Sequence, residues 1–198
     1  GTTVATFHYA KSGFINVRLA LPSIVFAFLG SFCGSNVLLL VDDGFLRLFL
    51  LVLLPVTAIY VMKSKSFDAA GLQSFSLRKT TLLCMGIAFA VGVYDGFYGP
   101  GTGTFLMLML TGLAHLRLDS AAGVTKSINL TTNLAALIVF LFHGQVVILL
   151  GLLAGLFNMI GNYLGSHSFT KNGGAIARPI TIVVLLVFFV KVVWDFVA

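Results

Sequence analysis

Residues 80 to 115 read TTLLCMGIAFAVGVYDGFYGPGTGTFLMLMLTGLAH, and this stretch decides the fold. From 80 to 98 it is apolar and close to the roughly 20 residues that a membrane-spanning helix needs. Between Gly92 and Thr104 it holds five glycines and Pro100. Proline has no N–H to donate and glycine permits positive φ, so a helix must break here. Residues 104 to 114 then supply only about half a span. A broken helix in hydrocarbon leaves backbone amides unsatisfied, so the break must line a polar cavity or bury itself in protein. The segment is expected to enter the membrane, bend at 99 to 103 and return as a hairpin over 80 to 114.

Composition agrees that the solvent is lipid. Of 198 residues, 59% are hydrophobic and 9% charged, with a mean hydropathy of +1.06. A soluble domain carries roughly 25% charged residues. The net charge of +6 is spread singly between apolar runs, without the basic stripe that nucleic acid requires, so no nucleic-acid partner is expected. Cys33 and Cys84 lie in apolar segments without a CxxC spacing and read as two buried thiols. His8, His115, His143 and His167 show no metal-ligand spacing and read as interfacial or buried hydrogen-bonding residues. No nucleophile motif is present. No cofactor, metal or catalytic residue is therefore assigned, and the chain is not expected to be an enzyme.

The fold class that follows is all-α, a polytopic transmembrane bundle. Spans are expected at about 17 to 40, 45 to 62, 80 to 98, 120 to 142, 146 to 169 and 176 to 197. Residues 1 to 11 look like the end of a helix that begins earlier. The linker 63 to 79 carries Lys63, Lys65, Arg78 and Lys79 against Asp68, and reads as cytoplasmic. Sliding the chain by 131 residues pairs Ala5 with Ala136, Gly13 with Gly144, Leu19 with Leu150, Phe26 with Phe157, Gly30 with Gly161, Gly34 with Gly165, Ser35 with Ser166 and Arg47 with Arg178. Two homologous repeats are expected, at 1 to 62 and 80 to 198. In that register the first repeat lacks an opening hairpin equivalent to roughly residues 81 to 131.

Charge placement gives the orientation of the repeats. Lys11 and Arg18 flank the first connection of the first repeat, whereas its counterpart, His143 to Gln145, has no Lys or Arg. The connection at 41 to 47 has Asp42 and Asp43 beside Arg47, whereas 170 to 178 has Lys171 and Arg178. The bias reverses, so the repeats are expected to be inverted, with the C-terminus outside. Gly151, Gly155 and Gly161 form a small-residue face that suits either a homodimer or packing within one chain.

Chemistry concentrates at the break and on the helix after it. A half-helix starting in Gly101-Thr102-Gly103-Thr104 would aim its N–H groups and positive dipole end at the break, a place for an anion. Thr102 and Thr104 can cap it or donate to the anion. Thr125, Asn129 and Asn133, four residues apart, share one face of the next span. Asn there suits either a substrate oxyanion or interhelical hydrogen bonding. Lys126 either snorkels to the interface or adds positive charge to the path. Asp95, just before the break, is either a proton carrier or a brace for the broken helix.

Tyr94-Asp-Gly-Phe-Tyr-Gly-Pro-Gly-Thr-Gly-Thr104, followed by Thr125-Lys126, Asn129, Asn133, Gly144, Gly161, Gly165 and Ala177-Arg178-Pro179, resembles the TauE/SafE family of sulfite exporters. The resemblance implies an inner-membrane protein of two inverted repeats that moves sulfite, sulfoacetate or a related organosulfonate. In the family a first glycine-rich hairpin would sit opposite the second. Substrate contacts are expected from Gly101, Thr102, Gly103, Thr104, Thr125, Lys126, Asn129 and Asn133, in an alternating-access transporter. The rival readings are an anion channel and a membrane-embedded enzyme or assembly subunit.

Overall fold

The computed structural model describes residues 1–42 and 75–172, together with scattered helical residues within 44–56 and 183–194. The expected spans at 45 to 62 and 176 to 197, and most of the linker 63 to 79, lie outside the described residues. The described helices are α1 (Thr2–Lys11), α2 (Val17–Leu38), α3 (Leu77–Phe97), α4 (Thr102–Gly112), α5 (Leu118–Phe142) and α6 (Ile148–Asn172). No strand occurs among the described residues. Four of these helices, α2, α3, α5 and α6, are long and apolar enough to cross a membrane. The chain is thus an integral, multi-pass membrane protein. Their bounds fall within three residues of the expected spans.

α2 is the centre of the bundle and packs against α3 and α5, while α1 docks on α5 and α6. Without a hydrophobic drive between helices in lipid, close backbone approach and interhelical hydrogen bonds must hold such pairs. Both are present. A Cβ added to Gly34 would strike the Val93 carbonyl oxygen, and one added to Gly96 would strike the Ser31 carbonyl oxygen. The buried hydroxyl of Ser35 donates to the Gly96 carbonyl at 3.1 Å, and that of Ser31 to the Thr132 carbonyl of α5 at 2.8 Å. The outward faces, such as Leu21, Val25 and Leu29 on α2, are apolar and exposed, as lipid contact requires.

α1 and α5 end in the same turn, 131 residues apart. Gly13 (φ 73) and Gly144 (φ 66) take the left-handed conformation, and their amides donate to Ala10 and Leu141 carbonyls at 3.1 Å each. One residue on, Phe14 and Gln145 donate to Tyr9 and Phe140 carbonyls, at 3.0 Å each. The next helices begin at Val17 and Ile148, again at that offset.

One expectation about the core is corrected. Cys84 is buried, but Cys33 is exposed, because it follows Phe32 on the outward face of α2.

Candidate anion-binding site

The hairpin breaks where glycine and proline demand it. α3 ends at Phe97, Gly99 (φ 88) and Gly101 (φ 84) take left-handed conformations, and α4 starts at Thr102 with Gly101 as its N-cap. The half-helix α4 is 11 residues long. The turn is held by side chains of the helix it interrupts. Tyr94 donates its hydroxyl to the Pro100 carbonyl at 2.6 Å. The Thr102 hydroxyl lies 2.6 Å from Asp95 Oδ1 and 2.5 Å from the Gly99 carbonyl. The Thr132 hydroxyl, from α5, stands beside Asp95 and donates to the Asn129 carbonyl at 3.2 Å. Asp95 therefore ties the end of α3 to the start of α4 at the break, beside the middle of α5.

The first turn of α4 is only partly satisfied by the backbone. Thr102 N donates to Gly99 O at 3.2 Å, and the amides of Thr104 and Phe105 share Gly101 O at 2.9 and 3.0 Å. The Gly103 amide takes no part in these bonds, and no side chain caps the helix. The first amides of a helix are orphans by construction and carry the positive end of its dipole. Asn129 faces them: a Cβ on Gly103 would stand 3.4 Å from Asn129 Nδ2.

On α5, two polar atoms one turn apart, Thr125 Oγ1 and Asn129 Oδ1, are buried without a hydrogen-bond partner among the described residues. The Tyr98 hydroxyl, in the break itself, is a third. A buried polar group left unsatisfied costs about 1–3 kcal/mol, and most native structures hold few. Of the two on α5, Asn129 stands against the uncapped start of α4, and Thr125 lies one turn away.

The structure thus brings together Asp95, Gly101, Thr102, Gly103 and Asn129, with Thr125 one turn further along α5. Thr104, half-buried, lies on the same first turn of α4. Asn133 is turned away. It is exposed, and its Nδ2 donates to Thr2 Oγ1 on α1 at 2.8 Å. Successive four-residue steps rotate about 40° around a helix, and by the second step the side chain faces α1 rather than the break. Lys126 lies on the α1 side as well, its carbonyl accepting the Thr6 hydroxyl at 3.0 Å, and it forms no ion pair among the described residues. Three participants were not singled out in the sequence: Tyr94, Tyr98 and Thr132. Both tyrosines flank the glycine motif, and their four-residue spacing was the available signal.

Comparison with known proteins gives one family. The family model described as "Sulfite exporter TauE/SafE" matches residues 1–192. A protein of Sinorhizobium sp described as "Probable membrane transporter protein ORF9" is 31% identical, over 98% of this chain and 74% of its own length. A "Probable membrane transporter protein" of Haemophilus influenzae is 27% identical over 98% of this chain and 76% of its own. The "Probable membrane transporter protein YfcA" of Escherichia coli K12 is 26% identical over 98% and 72%. No solved structure is significantly similar.

Proposed function

This chain belongs to the sulfite exporter TauE/SafE family of membrane transporters, and from that premise we propose that it moves a small anion, sulfite or an organosulfonate such as sulfoacetate, by alternating access. The observation that carries the assignment is the Asn129 amide, whose Nδ2 lies against the uncapped start of α4, with the Thr125 hydroxyl, buried and unpartnered among the described residues, one turn away on α5. The anion rests on the Gly103 amide and Asn129 Nδ2, with Thr125 as a further donor and the α4 dipole supplying positive potential. A sulfur oxoanion accepts hydrogen bonds and donates few, so it matches a site built from N–H and O–H groups. Asp95 braces the break and holds Thr102 in place, rather than facing the cargo.

The protein sits in the inner membrane with linker 63 to 79 cytoplasmic and the C-terminus outside, following the placement of Lys and Arg. Two inverted repeats, at 1 to 62 and 80 to 198, rock against each other around the site. The common turn at Gly13 and Gly144 supports the repeat. A membrane potential alone supplies about 2.3 kcal/mol per charge per 100 mV, enough to drive export of an anion.

Uptake of labelled sulfite and sulfoacetate into proteoliposomes tests this. Saturable accumulation of one of them, lost in Asn129→Ala, is the expected result. If neither anion accumulates, or Asn129→Ala transports as well as the parent, the assignment fails.

A further inference from the structure

Thr102 Oγ1 stands 2.6 Å from Asp95 Oδ1 and 2.5 Å from the Gly99 carbonyl oxygen. Both distances are at the short end for O–H···O bonds, so each gap holds its own proton; one hydrogen shared between two acceptors would lengthen both. A threonine hydroxyl brings one proton, and a carbonyl or an ionised carboxylate brings none. Two bonds need two protons. The Thr102 proton goes to Gly99, and the second proton sits on Asp95, whose carboxyl O–H donates to Thr102 Oγ1.

The surroundings of Asp95 supply nothing that would hold it ionised. Thr132 Oγ1 stands beside it but spends its proton on the Asn129 carbonyl at 3.2 Å. No ion pair reaches Asp95 among the described residues. α4 has no titratable side chain, and α2 has only Arg18 at its start and the exposed Cys33. On α5, Lys126 lies six residues from Thr132 and on the α1 side. On α3 itself the titratable neighbours are Tyr94, whose hydroxyl is given to Pro100, and Tyr98, against which Phe49 packs. An unpaired charge inside a membrane neutralises rather than stay buried.

We propose that Asp95 is a proton-binding site of the transporter, holding a proton in this conformation and exchanging it as cargo comes and goes. The link to cargo rests on the reading of the break as the anion site. When the proton leaves, the Thr102 hydroxyl turns to the carboxylate, because the charge-assisted bond is the stronger one, and the Gly99 carbonyl loses its partner. The turn that presents the Gly103 amide then loosens. A negative charge in contact with Thr102, the neighbour of Gly103, also opposes an anion there. Anion and proton therefore bind together, each raising the other's affinity by the same factor. A doubly charged cargo such as sulfoacetate still carries one net negative charge across, so the membrane potential continues to act on it.

Infrared spectroscopy of the purified full chain in detergent reads the proton directly. At neutral pH the parent is expected to show the C=O stretch of a protonated carboxyl, shifted in D2O and missing in Asp95→Asn. Asn keeps a donor towards Thr102, so this variant is expected to unfold at the parent's midpoint. If it fails to fold, the parent's own band decides, since aspartates in contact with water are ionised at neutral pH and give none. Absence of the band from the parent, or its persistence in folded Asp95→Asn, overturns the proton site. Coupling is read with sulfoacetate, whose charge, unlike that of sulfite, is constant near neutral pH. Its half-saturating concentration for uptake into proteoliposomes is expected to rise with pH in the parent by up to about tenfold per unit, the slope of one linked proton, and to stay flat in Asp95→Asn. Equal pH dependence in the two proteins overturns the coupling. No uptake at any pH counts against the cargo assignment, and the infrared band alone then upholds or overturns the proton site.

Discussion

Gly101 illustrates how little freedom the site has at the scale of a single residue. It caps α4 at φ 84, a conformation that costs an L-residue roughly 1–2 kcal/mol. Gly101→Ala is expected to lower the unfolding midpoint by that cost and to slow transport further, because relaxing the turn tilts the amides that face Asn129. Unfolding and proteoliposome flux measured on the same preparation would check both effects. Thr102→Ala removes the hydroxyl that links Asp95 to the Gly99 carbonyl, and is expected to cost about 1 kcal/mol, with Thr102→Ser recovering most of it. Unfolding midpoints of the pair decide this. Gly101, Thr102 and Gly103 were legible in the sequence because glycine and proline announce a break whatever surrounds them. Asn129 was legible as a polar residue in a span, but its orientation towards Gly103 was not. Asn133 looked equivalent and faces α1 instead, since face-sharing at four-residue spacing decays with distance along the helix. Thr132 and Tyr94 gain their roles only when α5 and α3 close on the turn, which no local pattern encodes.

At the scale of elements, the α2–α3 contact is where the bundle has no slack. Gly30 and Gly34 on α2, and Gly92 and Gly96 on α3, bring the two backbones together at positions where a Cβ would collide with a carbonyl group. Gly34→Val is expected to destabilise by about 1–3 kcal/mol or more, since backbone cannot yield as a flexible side chain does. By contrast, Gly155→Ala on α6 meets nothing among the described residues and should leave the stability within about 0.5 kcal/mol of the parent. Comparing the two midpoints decides whether the close approach is as tight as described. Long apolar runs made the spans readable to within a few residues, because lipid imposes both length and composition. The start of α4 was also readable, two residues earlier than the half-span suggested, since Gly101 rather than Thr104 ends the irregular turn. Which helices touch was not readable, because the glycines that mediate the contacts are too common in this chain to stand out.

At the scale of the whole molecule, the described helices form a bundle in which a half-helix points its amide end at Asn129 of the next span. A transporter built this way must bind its cargo before releasing it. Flux is therefore expected to saturate with anion concentration, whereas a continuous pore would give flux that rises without limit. Initial rates of sulfite entry across a wide concentration range separate these outcomes. Binding itself is closest to the central claim that the cargo anion sits between Gly103 and Asn129. Equilibrium binding of labelled sulfite and sulfoacetate to the purified chain, beside Asn129→Ala, measures it without a membrane. The account predicts saturable binding of one anion, weakened about 10- to 100-fold by the substitution, as the loss of one charge-assisted hydrogen bond of about 1.5–3 kcal/mol requires. Equal affinity in the two proteins would contradict it.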